Sequence, residues 1–178
     1  MARERRGLLA FALVLASCAT TPSGGTSPQA RSSSGLPDFE LITVDGDSAR
    51  LSDHLGRDVV LLSFWTTWCE PCKSELPHLD RLYRAHKDEG FVVFAISMDD
   101  PSTAMQVAPY VHEAGFAFPV LLDPNSRATN LYNTHKSAPY TVIIARNGTI
   151  ASESAGFDAA SVGALEARIK ALLAATPP

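Results

Sequence analysis

Cysteine is scarce. Cys18, Cys69 and Cys72 are the only three in 178 residues, too few for a framework of several disulfides. Cys69 and Cys72 form a CxxC, but no second CxxC accompanies it. The five histidines (His54, His78, His86, His112 and His135) show no His-x-x-x-His pairing. A structural zinc site needs two further soft or imidazole ligands at ligand spacing, so the metal reading of this CxxC lacks half its donors. Positive charge is also short. Fifteen Lys and Arg against nineteen Asp and Glu leave a net charge of −4, and no basic patch interleaved with aromatics points to nucleic acid. No apolar stretch has the length of a bilayer-spanning helix, and no nicotinamide or flavin motif is present.

The chain is organised around Trp68-Cys69-Glu70-Pro71-Cys72. The fully apolar-flanked run Val59-Val60-Leu61-Leu62-Ser63-Phe64-Trp65 reads as a strand covered on both faces. A helical pattern begins at or just after Cys69, with Leu76, Leu79, Leu82 and Tyr83 as its apolar stripe. Two thiols at the start of a helix form a redox device in physical terms. The free N–H groups and the positive dipole end favour thiolate over thiol, and the two-residue spacing lets the second sulfur resolve a mixed disulfide on the first. Pro71 fits the first helical turn. Pro77 lies inside the pattern and is expected to kink it.

The N-terminus reads as a targeting segment. Arg3, Arg5 and Arg6 precede the short apolar stretch Leu8–Ala16, as in a secretory signal peptide. It closes on Leu15-Ala16-Ser17-Cys18, which resembles a bacterial lipobox. That resemblance implies a signal peptide over 1–17 and a lipid anchor on Cys18. The two remaining cysteines then make one redox pair. Cleavage before Cys18 removes three arginines and Glu4, three positive charges and one negative, so −4 becomes −6. Residues 18–36 supply the lipidated Cys and a Ser, Thr, Gly and Pro-rich tether, with a reach of about 23 Å. The folded domain is expected over 37–178. The location expected is exported, lipid-anchored and periplasm-facing; Ala19 favours the outer membrane in a Gram-negative source.

Within the domain, Phe39–Val44 and Ala49–Leu51 read as a hairpin across Asp45-Gly46. Ser52 is placed as the cap of a short helix over 53–55. Phe91–Ile96 is a second apolar strand, parallel to the first through the intervening helix. Asp99-Asp100-Pro101 is expected to begin a helix that ends at Gly115. Phe118–Leu122 follows as a short strand, and Asp123-Pro124 opens a further helical turn or two to about Tyr132. Tyr140–Ala145 and Thr149–Ser154 form a hairpin across Asn147-Gly148, and a last helix runs from about Ala159 with Val162, Leu165, Ile169, Leu172 and Leu173 inward.

This order is mixed α/β. It looks like a three-layer thioredoxin fold, a central mixed sheet with helices on both faces, carrying an N-terminal hairpin and a helix–strand insertion. The stretch from Phe64 through Trp68-Cys69-Glu70-Pro71-Cys72-Lys73-Ser74-Glu75-Leu76 to Pro77, with Pro37-Asp38-Phe39 upstream, resembles the TlpA/ResA-like thiol–disulfide oxidoreductases of the redoxin and AhpC/TSA group. The resemblance implies an exposed attacking thiol at Cys69 and a resolving thiol at Cys72, joined as the redox disulfide. It implies an active-site acid at Glu75 and a cis-proline at Pro139, next to Ala138. A cis bond there would present the backbone of Ala138 to an extended partner segment. Ala138 and Tyr140 depart from the family's usual residues around this proline. Trp68 is expected to shield the disulfide and offer a docking surface, Glu70 to oppose a thiolate at Cys69 weakly, and Lys73 to offset Glu70.

The activity implied is reduction of disulfides in exported proteins, with electrons from a membrane thiol donor, no cofactor, and a monomeric chain. Apocytochrome c, other exported proteins and metal-assembly factors all remain open as substrates. Two rivals stand beside it. A thiol peroxidase related to peroxiredoxins would use Thr66, three residues before Cys69, although Leu62 stands where those enzymes carry a proline. A periplasmic Cu(I) carrier would add His135 or Met98 to the two thiolates.

Overall fold

The structure is a computed structural model and describes residues 35–175. The signal segment, Cys18 and the tether up to residue 34 lie outside the described residues. Seven strands form one sheet: β1 Glu40–Thr43, β2 Ser48–Arg50, β3 Val59–Trp65, β4 Phe91–Ser97, β5 Val120–Leu122, β6 Tyr140–Ile144 and β7 Ile150–Ala155. Their order across the sheet is β2-β1-β5-β4-β3-β6-β7. β3, β4 and β5 run parallel. β6 joins β3 antiparallel, β7 joins β6 antiparallel, and the β1–β2 hairpin adds to β5 antiparallel. Four α-helices complete the fold among the described residues: α1 Glu70–His86, α2 Val107–Ala114, α3 Arg127–Tyr132 and α4 Ser161–Ala174. The thioredoxin-like architecture, its N-terminal hairpin and the inserted α2–β5 unit are therefore as expected.

β3 is the centre of this arrangement. All seven of its residues are buried, because it pairs with a strand on each side and is covered on both faces. Strand alternation divides its side chains between two apolar layers. Val59, Leu61 and Trp65 join α1 residues Leu76, Leu79 and Leu82 and α4 residues Ile169 and Leu173. Val60, Leu62 and Phe64 join Phe39, Leu51, Tyr132 and Ile144 on the other face. Each such aliphatic side chain removed from water contributes about 2 kcal/mol. The α1 face is inward at Cys72, Glu75, Leu76, Leu79 and Leu82, the spacing of one helical stripe.

Several boundaries differ from expectation, each for an identifiable reason. α1 continues past Pro77, so the proline, expected to bend the helix, does not end it. The proline stands on the exposed side of the helix, where water can serve the carbonyl that lost its amide partner. Ser52 caps no helix. A short 3-10 turn covers Leu51–Asp53, and the Ser52 amide donates to Asp38 Oδ1 at 2.9 Å. Asp99-Pro101 starts no α-helix either. Asp100 Oδ1 accepts the amides of Ser102 and Thr103 in a local turn, and α2 begins only at Val107, ending as expected at Gly115 with φ of 64°. Asp123 acts from a distance: its carboxylate accepts the amides of Arg127 at 2.6 Å and Thr129 at 2.8 Å, so α3 starts four residues later than the Asp-Pro pair. Asp158 Oδ1 accepts the amides of Ala160 and Ser161, which moves the start of α4 to Ser161.

Candidate active site

The two cysteines lie where β3 ends and α1 begins, at the carboxyl end of the parallel strands. Cys69 is the N-cap of α1, and its Sγ accepts the Cys72 amide at 3.2 Å. This is the amide-to-sulfur contact that favours negative charge on Cys69 once the bond is open. The sulfurs are bonded to each other at 2.07 Å. Pro71 occupies the first turn as expected. Cys72 is fully buried, while Cys69 keeps 5% of its surface. Cys69 is the more accessible of the two, but in the disulfide it is buried rather than the exposed thiol expected.

Trp68 is 68% exposed, so it is no core residue; the docking role fits its position. Glu70 Oε1 accepts from Lys73 Nζ at 2.9 Å, and that ammonium also lies 5.9 Å from the Tyr110 ring centroid. The two charges expected to offset one another at Cys69 are in contact with each other.

Glu75 is 4% exposed. Its Oε2 accepts from Ser63 Oγ at 3.3 Å and its Oε1 from Thr141 Oγ1 at 3.2 Å. These donors sit opposite each other on β3 and β6, on the sheet face that α1 covers. Burial pushes the Glu75 carboxyl up to about 7, against the pull of Thr141 and Ser63. Its hydrogen bonds go to those hydroxyls, and Cys72 stands one helical turn earlier. On its other side Glu75 meets a groove of about 670 Å³ lined also by His78, Ser154, Phe157 and Asp158.

The bond between Ala138 and Pro139 is cis. Neither the N–H nor the C=O of Ala138 has a hydrogen-bond partner among the described residues, whereas the Pro139 carbonyl accepts the Gly156 amide at 2.9 Å. The preceding loop is fixed by Asn133, whose side chain pairs with both the amide and the carbonyl of Ser137. Met98 Sδ accepts from Asn133 Nδ2 at 3.3 Å, and His135 is exposed. Among the described residues no group of three His, Cys, Asp or Glu side chains converges as metal ligands would. Thr66 is buried, and its hydroxyl has no partner among the described residues.

Asp99 belongs to the site although its sequence position suggested only a helix start. It is buried. Its carboxylate accepts the Thr67 amide at 3.0 Å, the Thr67 hydroxyl at 2.6 Å and the Ser97 hydroxyl at 2.9 Å. It therefore pins the loop that carries Trp68 and Cys69 to the end of β4. Ser63 and Thr141 are likewise additions. Ser63 had one visible signal: it is the lone polar residue in the apolar run of β3.

The model of the AhpC/TSA family matches residues 34–153. The chain belongs to this family. Within it the chain is ResA-like, with a thioredoxin fold. It is 35% identical over 117 residues to the thiol-disulfide oxidoreductase ResA of Geobacillus kaustophilus, a match covering 66% of this chain and 65% of that protein. The chain thus spans a little under two thirds of that ResA relative. A solved Chlorobium tepidum structure, described as a thiol:disulfide interchange protein DsbE, superposes with a TM-score of 0.70 at 33% identity. It covers 78% of this chain and 94% of the other. The pneumococcal exposed lipoprotein thioredoxin Etrx1 from Streptococcus pneumoniae superposes with a TM-score of 0.65 at 28% identity, covering 76% and 100%.

Proposed function

We propose that this ResA-like protein is an extracytoplasmic thiol–disulfide oxidoreductase, held at a membrane by lipid on Cys18, that reduces disulfides in exported proteins. The observation that carries the reading is the bonded Cys69–Cys72 pair at the start of α1, Cys69 keeping 5% of its surface and Cys72 none. The names of its relatives support the same chemistry, and the lipoprotein thioredoxin among the similar structures supports the anchor.

The cycle starts from the dithiol. The Cys69 thiolate attacks one sulfur of a substrate disulfide; the substrate S–S bond breaks, a bond to Cys69 forms, and the second substrate sulfur leaves as a thiolate that takes a proton. Glu75, as carboxylate, takes the proton of the Cys72 thiol. The Cys72 thiolate then attacks Cys69, the mixed disulfide breaks, and the first substrate sulfur leaves. Two electrons pass from the cysteine pair to the substrate, and Glu75 returns its proton to water in the groove behind it. The free N–H and C=O of Ala138 pair with an extended substrate segment. A membrane-associated dithiol donor reduces the resulting disulfide for the next round.

The test is the reduction potential of the pair, measured on the full-length chain in defined thiol buffers with acid trapping and mapping of the bond to Cys69 and Cys72. A value near that of thioredoxin, about −270 mV, is expected of a reductase. A value near that of DsbA, about −120 mV, would make the protein an oxidant instead.

A further inference from the structure

Tyr110 reaches the redox helix from outside it. It rides on α2, in the unit inserted between β4 and β5, and packs against the cluster that holds Cys69, Cys72 and Trp65. Its ring lies 5.6 Å from that of Trp65 and 6.2 Å from that of Phe116, centroid to centroid. The Lys73 ammonium stands 5.9 Å from the centre of the Tyr110 ring while it donates to Glu70 Oε1. We infer that Tyr110 is a positioning residue for the redox pair: it holds the Lys73 ammonium against Glu70 and so sets the charge that a thiolate at Cys69 meets. The inference rests on Cys69 being the attacking thiol, as in the reading above, and adds a residue that tunes it.

Three observations carry it. Glu70 follows Cys69 directly, and the Lys73 amide donates to the Cys69 carbonyl at 3.1 Å, so Lys73 leaves the first turn of α1 one turn beyond the sulfur. Both charges are therefore local to Cys69, and the better fixed of the two weighs more there. The ion pair alone fixes neither well. The Glu70 side chain is 80% exposed and that of Lys73 32%, and a pair with one end in water holds weakly. The aromatic face gives Lys73 a second anchor that Glu70 lacks. Tyr110 also feels both members: burial raises its hydroxyl, Lys73 pulls it down and Glu70 pushes it up. Two other charged residues come near this end of α1. Asp99 is bonded to Thr67, and Lys136 shares a hollow with Trp68. Neither touches Lys73 or Tyr110 through a hydrogen bond or ion pair among the described residues.

The experiment uses the full-length chain, reduced with dithiothreitol and desalted, and follows iodoacetamide alkylation of Cys69 by mass spectrometry across pH. Below the pH where Cys69 ionises, the rate reports its thiolate fraction. Y110L keeps apolar packing against Trp65 and Phe116 but removes the ring face, and should slow alkylation about twofold, the size of one part-exposed cation–π contact. Y110F keeps the ring and should match the parent. K73M approaches the same contact from a part-exposed position and should slow the reaction by about twofold or more, while E70Q should speed it. The deciding variant is K73M/Y110L, which should be no slower than K73M alone. Salt at about 1 M should shrink the gap between Y110L and the parent. Y110L at the parent rate, or an equal loss from Y110L with and without Lys73, would overturn the inference and leave the reductase reading standing; the second result would mean that the ring acts by packing on Trp65. Alkylation of Cys72 ahead of Cys69 in the parent would overturn the attacking-thiol assignment and this inference with it.

Discussion

The two sides of the Cys69–Cys72 bond differ more than their three-residue separation suggests. On the Cys69 side, Trp68 stands out from the surface, the backbone of Ala138 has no partner among the described residues, and a hollow adjoins both. On the Cys72 side the reacting groups are covered: Cys72 is fully buried, and Glu75, held by two hydroxyls from paired strands, meets the groove behind it with little of its own surface. Under the proposed function the difference separates docking from proton handling. Partner contact would use groups that lose little by waiting in water. In the proposed cycle, resolution of the mixed disulfide uses a carboxyl that burial raises to about 7, where it can take a thiol proton and give it up again.

The largest effect should come from breaking the pair. Cys69→Ser removes the attacking sulfur and should lower disulfide reduction at least about a thousandfold, measured by turnover of a protein disulfide with a chemical dithiol donor. Thermal unfolding should report that the fold survives.

The sealed side is tested next by Glu75→Gln. Resolution at neutral pH should slow by about a hundredfold. In the parent chain the rate should fall as pH drops through about 7, because Glu75 gains its proton there; the variant should lack that limb. Stability gives an independent reading. A carboxyl whose folded value is raised from 4.5 to about 7 contributes stability that is complete below 4.5 and is lost as pH rises through 7. The parent should weaken over that window by an amount of order 3 kcal/mol. Glu75→Gln should flatten the curve and be the more stable chain at pH 8, as denaturant titration at several pH values would show.

Asp99 links the two sides by holding the loop between β3 and α1. Asp99→Ala leaves the buried Thr67 amide without its acceptor and should lower unfolding free energy by about 1–3 kcal/mol. It should slow reduction as well, since Trp68 and Cys69 ride on the released loop. The smallest effect is assigned to the open side. Trp68→Ala should leave the melting temperature nearly unchanged, because the indole is mostly in water, while kcat/KM for a protein substrate drops about tenfold, chiefly through KM. A large loss of stability in this variant would show that the indole holds the fold and would remove the distinction between the sides.

Much of this was legible in the chain. The run of β3, the stripe of α1 and the CxxC between them are local patterns, and local patterns survive folding when one face must be buried. Cys69, Cys72, Glu75 and Pro139 followed from the family resemblance, and the structure brings them to the same end of the sheet. Asp99, Ser63 and Thr141 were not legible, because their roles depend on register. Ser63 meets Glu75 only because it is an odd-numbered residue of β3, facing α1, and Thr141 only because β6 pairs with β3 at that position. The helix starts at Asp99 and Asp123 were misplaced for a related reason. A carboxylate before a helix reads as a local cap, yet Asp99 is drawn across the sheet to Thr67, and Asp123 reaches amides four and six residues ahead. The hollow beside Ala138 joins residues from four separate segments, which no local pattern announces.

The division between an attacking and a resolving cysteine is tested most directly by trapping. Full-length Cys72→Ser, reduced and mixed with a disulfide-bonded protein such as insulin, should accumulate a mixed disulfide that mass spectrometry maps to Cys69. Cys69→Ser under the same conditions should accumulate none, because Cys72 is sealed. Complexes mapped to Cys72, or none in either variant, would contradict the assignment.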